Sequence, residues 1–282
     1  MEDIVDKIKI ITDSTCDLSK DIIEKLDIEV VPLTVNIDSK SYVDGVDINF
    51  KELNKIILEC GDFPTTSPPN PDVFKEVYEK YLTKGYKIIS IHISSKFSFT
   101  CQSAFIAKDI LETQDIYIYD SLNLSSGLAM IVVEAAEMVK NGCEFEEICK
   151  NIGYGISNVK SIAIVNDMSN LIISGKVNKT LGKISKLTRM KVIIGIVDGE
   201  VTFIGKIIRK RKILDYLINF LELENLDDSS IIYIAHSDED ELTGLLKNYL
   251  EKNQYKYYSI NTGCVVGAYS GSKSLGISIK CI

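Results

Sequence analysis

Through the first half of the chain, short apolar runs alternate with longer stretches of helical period. Residues 8–12, 88–93 and 116–119 are nearly continuous in Ile, Tyr and other apolar side chains, the pattern of strands buried on both faces. Each run opens into a short polar loop. A segment with one apolar face follows: Ile22, Ile23 and Leu26 after the first, Ala104, Ala107 and Leu111 after the second, and 128–139 after the third. This alternation predicts parallel strands with crossover helices. The order changes near Ser157. Residues 161–165 and 191–197 read as strands, with a short helix over 166–174 between them. Asp198-Gly199, set between two apolar runs, predicts a hairpin into 201–208. Helices over 210–223 and 239–251 then separate strands over 231–235, 257–260 and 276–280. The expected fold class is α/β in two domains, a parallel α/β layer over 1–157 and a mixed-sheet α/β domain over 158–282.

The polar loops carry the candidate chemistry. Pro64-Thr65-Thr66-Ser67-Pro68-Pro69-Asn70-Pro71 places three hydroxyls on a proline-stiffened stretch ahead of a helix marked by Phe74, Val77, Tyr78 and Tyr81. Asn70 suits the cap of that helix and Pro71 its first turn. Ser94-Ser95-Lys96-Phe97-Ser98-Phe99-Thr100 is a second hydroxyl cluster at a strand-to-helix junction, and Asp13-Ser14-Thr15 and Asp120-Ser121 follow the same grammar. In an open parallel sheet such loops gather at the carboxyl ends of the strands, where ligands bind. Neutral donors at helix starts suit a carboxylate or a phosphate. The plainer alternative is helix capping by rigid polar loops.

These motifs, taken in order, resemble the DegV family, fatty-acid-binding proteins that include the binding subunit of bacterial fatty acid kinase. The resemblance runs through Ile11-Thr12-Asp13-Ser14-Thr15, Val31-Pro32-Leu33, Tyr42-Val43-Asp44-Gly45-Val46-Asp47-Ile48, Thr66-Ser67-Pro68-Pro69 and the segment from Ser94 to Ala104. It implies a long-chain fatty acid such as palmitate as bound ligand, no cofactor and no catalytic residue. It further implies the same two-domain division with the acid between the lobes, a kinase subunit as partner, and a role in lipid transport or fatty acid metabolism. The head-group contacts it implies fall on Thr66 and Ser98, with Ser67 beside the first. Tyr269, in Gly267-Ala268-Tyr269-Ser270-Gly271, stands where the family often has histidine, and Lys176 stands where it has arginine. Lys176 and Arg209 are the positions implied for a partner or a phosphorylated head group. Three departures bear on the site: Phe99 between Ser98 and Thr100 could narrow its mouth, Pro68 removes a donor, and Tyr269 carries no positive charge.

Composition narrows the alternatives. With 32 basic against 40 acidic residues and a net charge of −8, a nucleic-acid surface is not expected, because phosphate backbones are met by concentrated Lys and Arg. The seven cysteines show no CxxC spacing and only two histidines accompany them, so no metal site is expected. The first residues are acidic, without the basic-then-apolar order of a signal peptide, and no apolar run reaches membrane-spanning length; a cytoplasmic protein is expected. Gly267 to Ser274 approaches a phosphate-binding loop but has Ser272 where that motif needs glycine. A serine acyl hydrolase built on Ser98 is the alternative to a fatty-acid carrier; it would need a base beside the serine.

Overall fold

A computed structural model of the protein describes residues 7–166, 169–175, 191–207, 210–224, 226 and 230–281. Strand β1 (Lys7–Asp13) passes through a 3-10 turn (Ser14–Cys16) into helix α1 (Lys20–Lys25) and strand β2 (Glu29–Val31). Strands β3 (Thr34–Ile37) and β4 (Lys40–Val43), helix α2 (Phe50–Cys60) and strand β5 (Thr65–Ser67) come next. Helix α3 (Pro71–Leu82), strand β6 (Tyr86–His92), helix α4 (Thr100–Leu111), strand β7 (Ile116–Asp120) and helices α5 (Ser125–Lys140) and α6 (Phe145–Asn158) complete this half. Its main sheet, in the order β2-β1-β6-β7, is parallel throughout, as the alternation predicts.

The second half contains β8 (Val159–Val165), α7 (Ser169–Ile173), β9 (Lys191–Val197), β10 (Glu200–Ile207), α8 (Lys210–Leu223) and β11 (Ile231–His236). It continues with α9 (Glu241–Lys252), β12 (Lys256–Asn261), α10 (Cys264–Ser270) and β13 (Leu275–Lys280). Six strands form one mixed sheet, β10-β9-β8-β13-β11-β12, in which β11 and β12 are parallel and the other pairs antiparallel. The hairpin at Asp198-Gly199 forms as expected. Both residues have positive φ, 50° and 79°, which a tight two-residue turn between twisted strands requires.

One reading of the sequence needs correction. The stretch from Pro64 to Pro71 is not all loop: Thr65–Ser67 is strand β5, antiparallel to β3 with Thr66 opposite Val35, in a three-stranded sheet β4-β3-β5. Three consecutive hydroxyl residues show no apolar alternation, so periodicity could not reveal the strand. Helix α2 lies outside the elements expected from the sequence; Asn49 and Glu52 form a reciprocal capping box at its start and Gly61 ends it at φ 72°. Helix α3 does begin at Pro71, but the Asn70 side chain makes no capping bond; the fixed φ of the proline shapes this start.

Helix α5 holds the two halves together. It is apolar around its circumference, and Leu128 to Val133, Ala135 and Ala136 are all buried. A helix apolar on all sides needs partners on all sides. Ile10, Ile89 and Ile91 of the parallel sheet and Val165, Ile194, Tyr233 and Ala235 of the mixed sheet share one core with it. Phe74, Tyr78, Ala104 and Ala107 cover the other face of the parallel sheet, and Ile213, Leu217, Leu246 and Leu250 that of the mixed sheet. The small sheet packs Leu33 and Val35 with Phe50 of α2 and Val265 and Ala268 of α10. No helix among the described residues is long and apolar enough to cross a membrane.

Candidate functional site

A cavity lies where both halves contribute walls. Ile93, Phe97, Ser98 and Leu124 come from the first, and Ile162, Ile194, Val201, Ala235 and Val265 from the second. The space open to a water molecule's centre is ≈ 120 Å³. Most of the lining is aliphatic. These wall residues could not be told from ordinary core in the sequence, since a residue lining a cavity and one filling a core have the same hydrophobic period.

Thr66, Ser98 and Tyr269 are brought to this one cavity from three distant parts of the chain. Strand alternation decides which hydroxyl of β5 takes part: Thr66 is turned inward and Thr65 and Ser67 are exposed. The Thr66 hydroxyl lies 2.7 Å from the phenol of Tyr269, on α10. Ser98 lies 2.8 Å from the Thr100 hydroxyl and also accepts the Thr100 backbone N–H at 3.3 Å. When Tyr269 donates to Thr66 and Thr100 donates to Ser98, the Thr66 and Ser98 hydrogens remain for a ligand. Burial pushes the Tyr269 phenol above its ordinary pKa, with the hydrogen bond shared with Thr66 acting the other way, so the phenol stays protonated at neutral pH.

The remaining candidates fall elsewhere. Ser67 accepts from Asn36 Nδ2 at 3.1 Å on the exposed side of β5 and is not among the lining residues. Phe99 is 70% exposed and is not among the lining residues, whereas Phe97 lines the wall. Lys176 and Arg209 lie outside the described residues.

The loop bearing Ser98 is held from several sides. The Ser94 and Ser98 backbone N–H groups bond Asn123 O at 2.9 Å and Ser94 O at 3.2 Å. The Ser95 N–H donates to Asp120 at 3.1 Å, and the Ser94 hydroxyl to Gly199 O at 2.8 Å. Asp120 also accepts from Leu122 N–H at 2.9 Å, and Asp13 accepts from Thr15 N–H at 3.0 Å and Ile93 N–H at 2.9 Å. Both aspartates cap their loops.

Asp17 and Asp44, both buried, reach across the halves to α10. Asp17 accepts from Gly263 N–H at 2.9 Å and the Ser125 hydroxyl at 2.6 Å; Asp44 accepts from Cys264 N–H at 2.9 Å. Burial raises both carboxyls from their ordinary value, Asp17 well above it, against the opposing pull of these hydrogen bonds.

No histidine stands beside Ser98. His92 is fully buried, its Nδ1 3.1 Å from Asp13 and its Nε2 2.7 Å from Ser90, which in turn lies 2.9 Å from Tyr78. The order Ser90–His92–Asp13 is that of a hydrolase triad, but all three side chains have no exposed surface and no substrate reaches them. His236 is engaged with Ser259 at 2.9 Å. Residues 264–270 form α10 and lead into β13, so the glycine-rich segment runs from helix to strand, the reverse of a phosphate-binding loop. All seven cysteines are free thiols, and no group of three or more metal-ligating side chains occurs among the described residues.

The fold is an α/β one in which a parallel sheet and a mixed sheet share one buried helix, with an apolar cavity edged by hydroxyls. The DegV family model, described as an uncharacterised protein family, matches residues 7–280, and the chain belongs to the DegV family. A DegV domain-containing protein of Clostridium acetobutylicum is 43% identical over 273 residues, 97% of this chain and 98% of its own length. Among solved structures, a DegV family protein of Thermus thermophilus described by its fatty acid binding superposes with a TM-score of 0.91 at 26% identity, covering 98% of this chain and 100% of that one. A Thermotoga maritima protein described as revealing a fatty acid binding function gives 0.83 at 28% identity, covering 98% and 99%.

Proposed function

We propose that this protein binds a long-chain fatty acid, such as palmitate, with the acyl chain in the cavity and the carboxylate at Thr66 and Ser98. The observation that carries this reading is the meeting of Thr66, Ser98 and Tyr269 on the wall of an otherwise largely aliphatic cavity. Methylenes gain about 0.8 kcal/mol each on leaving water, so a largely aliphatic cavity favours an acyl chain. A carboxylate drawn in with it needs donors to replace its water, and hydrogen bonds to an ionised acceptor are among the stronger ones. The Thermus and Thermotoga relatives, described as binding fatty acids, support the same ligand class.

In this reading the protein is a carrier in lipid transport or fatty acid metabolism. It presents the carboxylate to a kinase subunit that would convert it to an acyl-phosphate, and Lys176 and Arg209 are the residues proposed to meet that partner or the phosphate. The protein purified from cells should yield one long-chain fatty acid per monomer on solvent extraction, read by mass spectrometry of the extract and of the intact native protein. Recovery of no stoichiometric acyl chain, together with no binding of added palmitate or oleate, would overturn the proposal.

A further inference from the structure

The cavity has a second polar place, apart from Thr66, Ser98 and Tyr269. Ser126 of α5 and Ser161 of β8 both line it, and they belong to a buried chain of side chains. The Ser161 hydroxyl donates to Asn123 Oδ1 at 2.7 Å. Ser278 of β13 lies 2.7 Å from Ser161 and 2.7 Å from Ser126. A hydroxyl has one hydrogen. Ser161 has spent its own on Asn123, so Ser278 must donate to Ser161, and Ser126 must then donate to Ser278. The direction of the whole chain follows from its last bond. Gly127 is part of this construction: a Cβ there would stand 2.2 Å from Asn123 Oδ1 and 2.5 Å from Ser161 Oγ, so any larger residue would push the chain apart.

At the cavity wall, therefore, Ser126 shows oxygen lone pairs and has no hydrogen to give. Such a group does not suit a carboxylate, which needs donors, and gains nothing from a plain methylene. Its complement is a ligand O–H. We infer that the cavity is built to take a fatty acid bearing a hydroxyl along its chain, which donates to Ser126 while the carboxylate sits at Thr66 and Ser98. This specificity rests on the fatty-acid reading above and narrows it to hydroxylated acyl chains.

The test is calorimetric titration of lipid-stripped protein with octadecanoate, with hydroxyoctadecanoates whose hydroxyl is stepped along the chain, and with the matching oxo acids. At one hydroxyl position the affinity should exceed that for octadecanoate by about three- to tenfold, the worth of one net hydrogen bond. The oxo acid at that position should show no such gain, because two acceptors would face each other. Ser126→Ala should erase the preference, the octadecanoate affinity of the same variant being the reference. Ser278→Ala frees the Ser126 hydrogen, so the oxo acid should gain affinity in that variant. If octadecanoate binds and no hydroxyl position is preferred, or the preference survives Ser126→Ala, the serine chain serves only to tie α5, β8 and β13 together and the inference is wrong. If octadecanoate itself fails to bind, the fatty-acid reading fails and the inference falls with it.

Discussion

Thr66 shows how one residue's role is decided by its neighbours on a strand. Thr65, Thr66 and Ser67 are chemically alike, yet only the middle one faces inward to meet Tyr269. Losing the Thr66 or Ser98 hydroxyl would leave a carboxylate oxygen short of a donor in an apolar cavity. Thr66→Ala and Ser98→Ala should each weaken palmitate binding by about 1–3 kcal/mol, measured by titration calorimetry with folding checked by circular dichroism. Unchanged affinity in both would place the head group elsewhere. Ser67→Ala, on the exposed side of the same strand, should leave binding unaltered.

Among the elements, the β9–β10 hairpin reaches across to the Ser98 loop. Gly199 at its tip has φ 79°, and a Cβ there would stand 2.5 Å from Ser94 Oγ and 3.1 Å from Leu122. Any side chain is thus both strained and in collision. Gly199→Ala should cost about 1–3 kcal/mol of stability, read from a denaturant midpoint, and should loosen the Ser94 contact. An unshifted midpoint would show that the hairpin is not seated on the loop. The Asp-Gly pair announced this turn in the sequence, but nothing there indicated what the turn touches. Strand β5 was illegible for the opposite reason: its pairing comes from β3, and its own residues carry no alternation of apolar and polar side chains.

For the whole molecule, α5 and the two buried carboxyls are the joints. The division into 1–157 and 158–282 is proposed as two lobes sharing α5, whose buried faces meet both sheets. Asp17 and Asp44 hold the start of α10 from the other half, and burial raises both their pKa values. A carboxyl whose folded pKa lies above its unfolded value binds more protons folded than unfolded, so its contribution to stability is largest below about pH 4 and declines as pH rises through the folded value. Asp44→Asn keeps an acceptor for the Cys264 N–H and removes the titration. Thermal melts from about pH 4 to about pH 8 should show a shallower decline toward high pH in the variant than in the wild type. Identical slopes would mean that the Asp44 carboxyl has the same pKa in the folded and unfolded chain.

The sequence alone determined the parallel order of the first half, the hairpin at Asp198-Gly199 and the family, because each depends on local period, turn chemistry or motif order. It also singled out Thr66, Ser98 and Tyr269, through the resemblance more than through their chemistry. Tertiary structure alone decided that these three share one cavity, that Ser67 and Phe99 do not line it, and that Ser126 ends a directed chain of hydroxyls. A residue's hydrophobic period reports that it is covered but not what covers it. Which wall meets which hydroxyl is settled only when segments more than a hundred residues apart pack against α5.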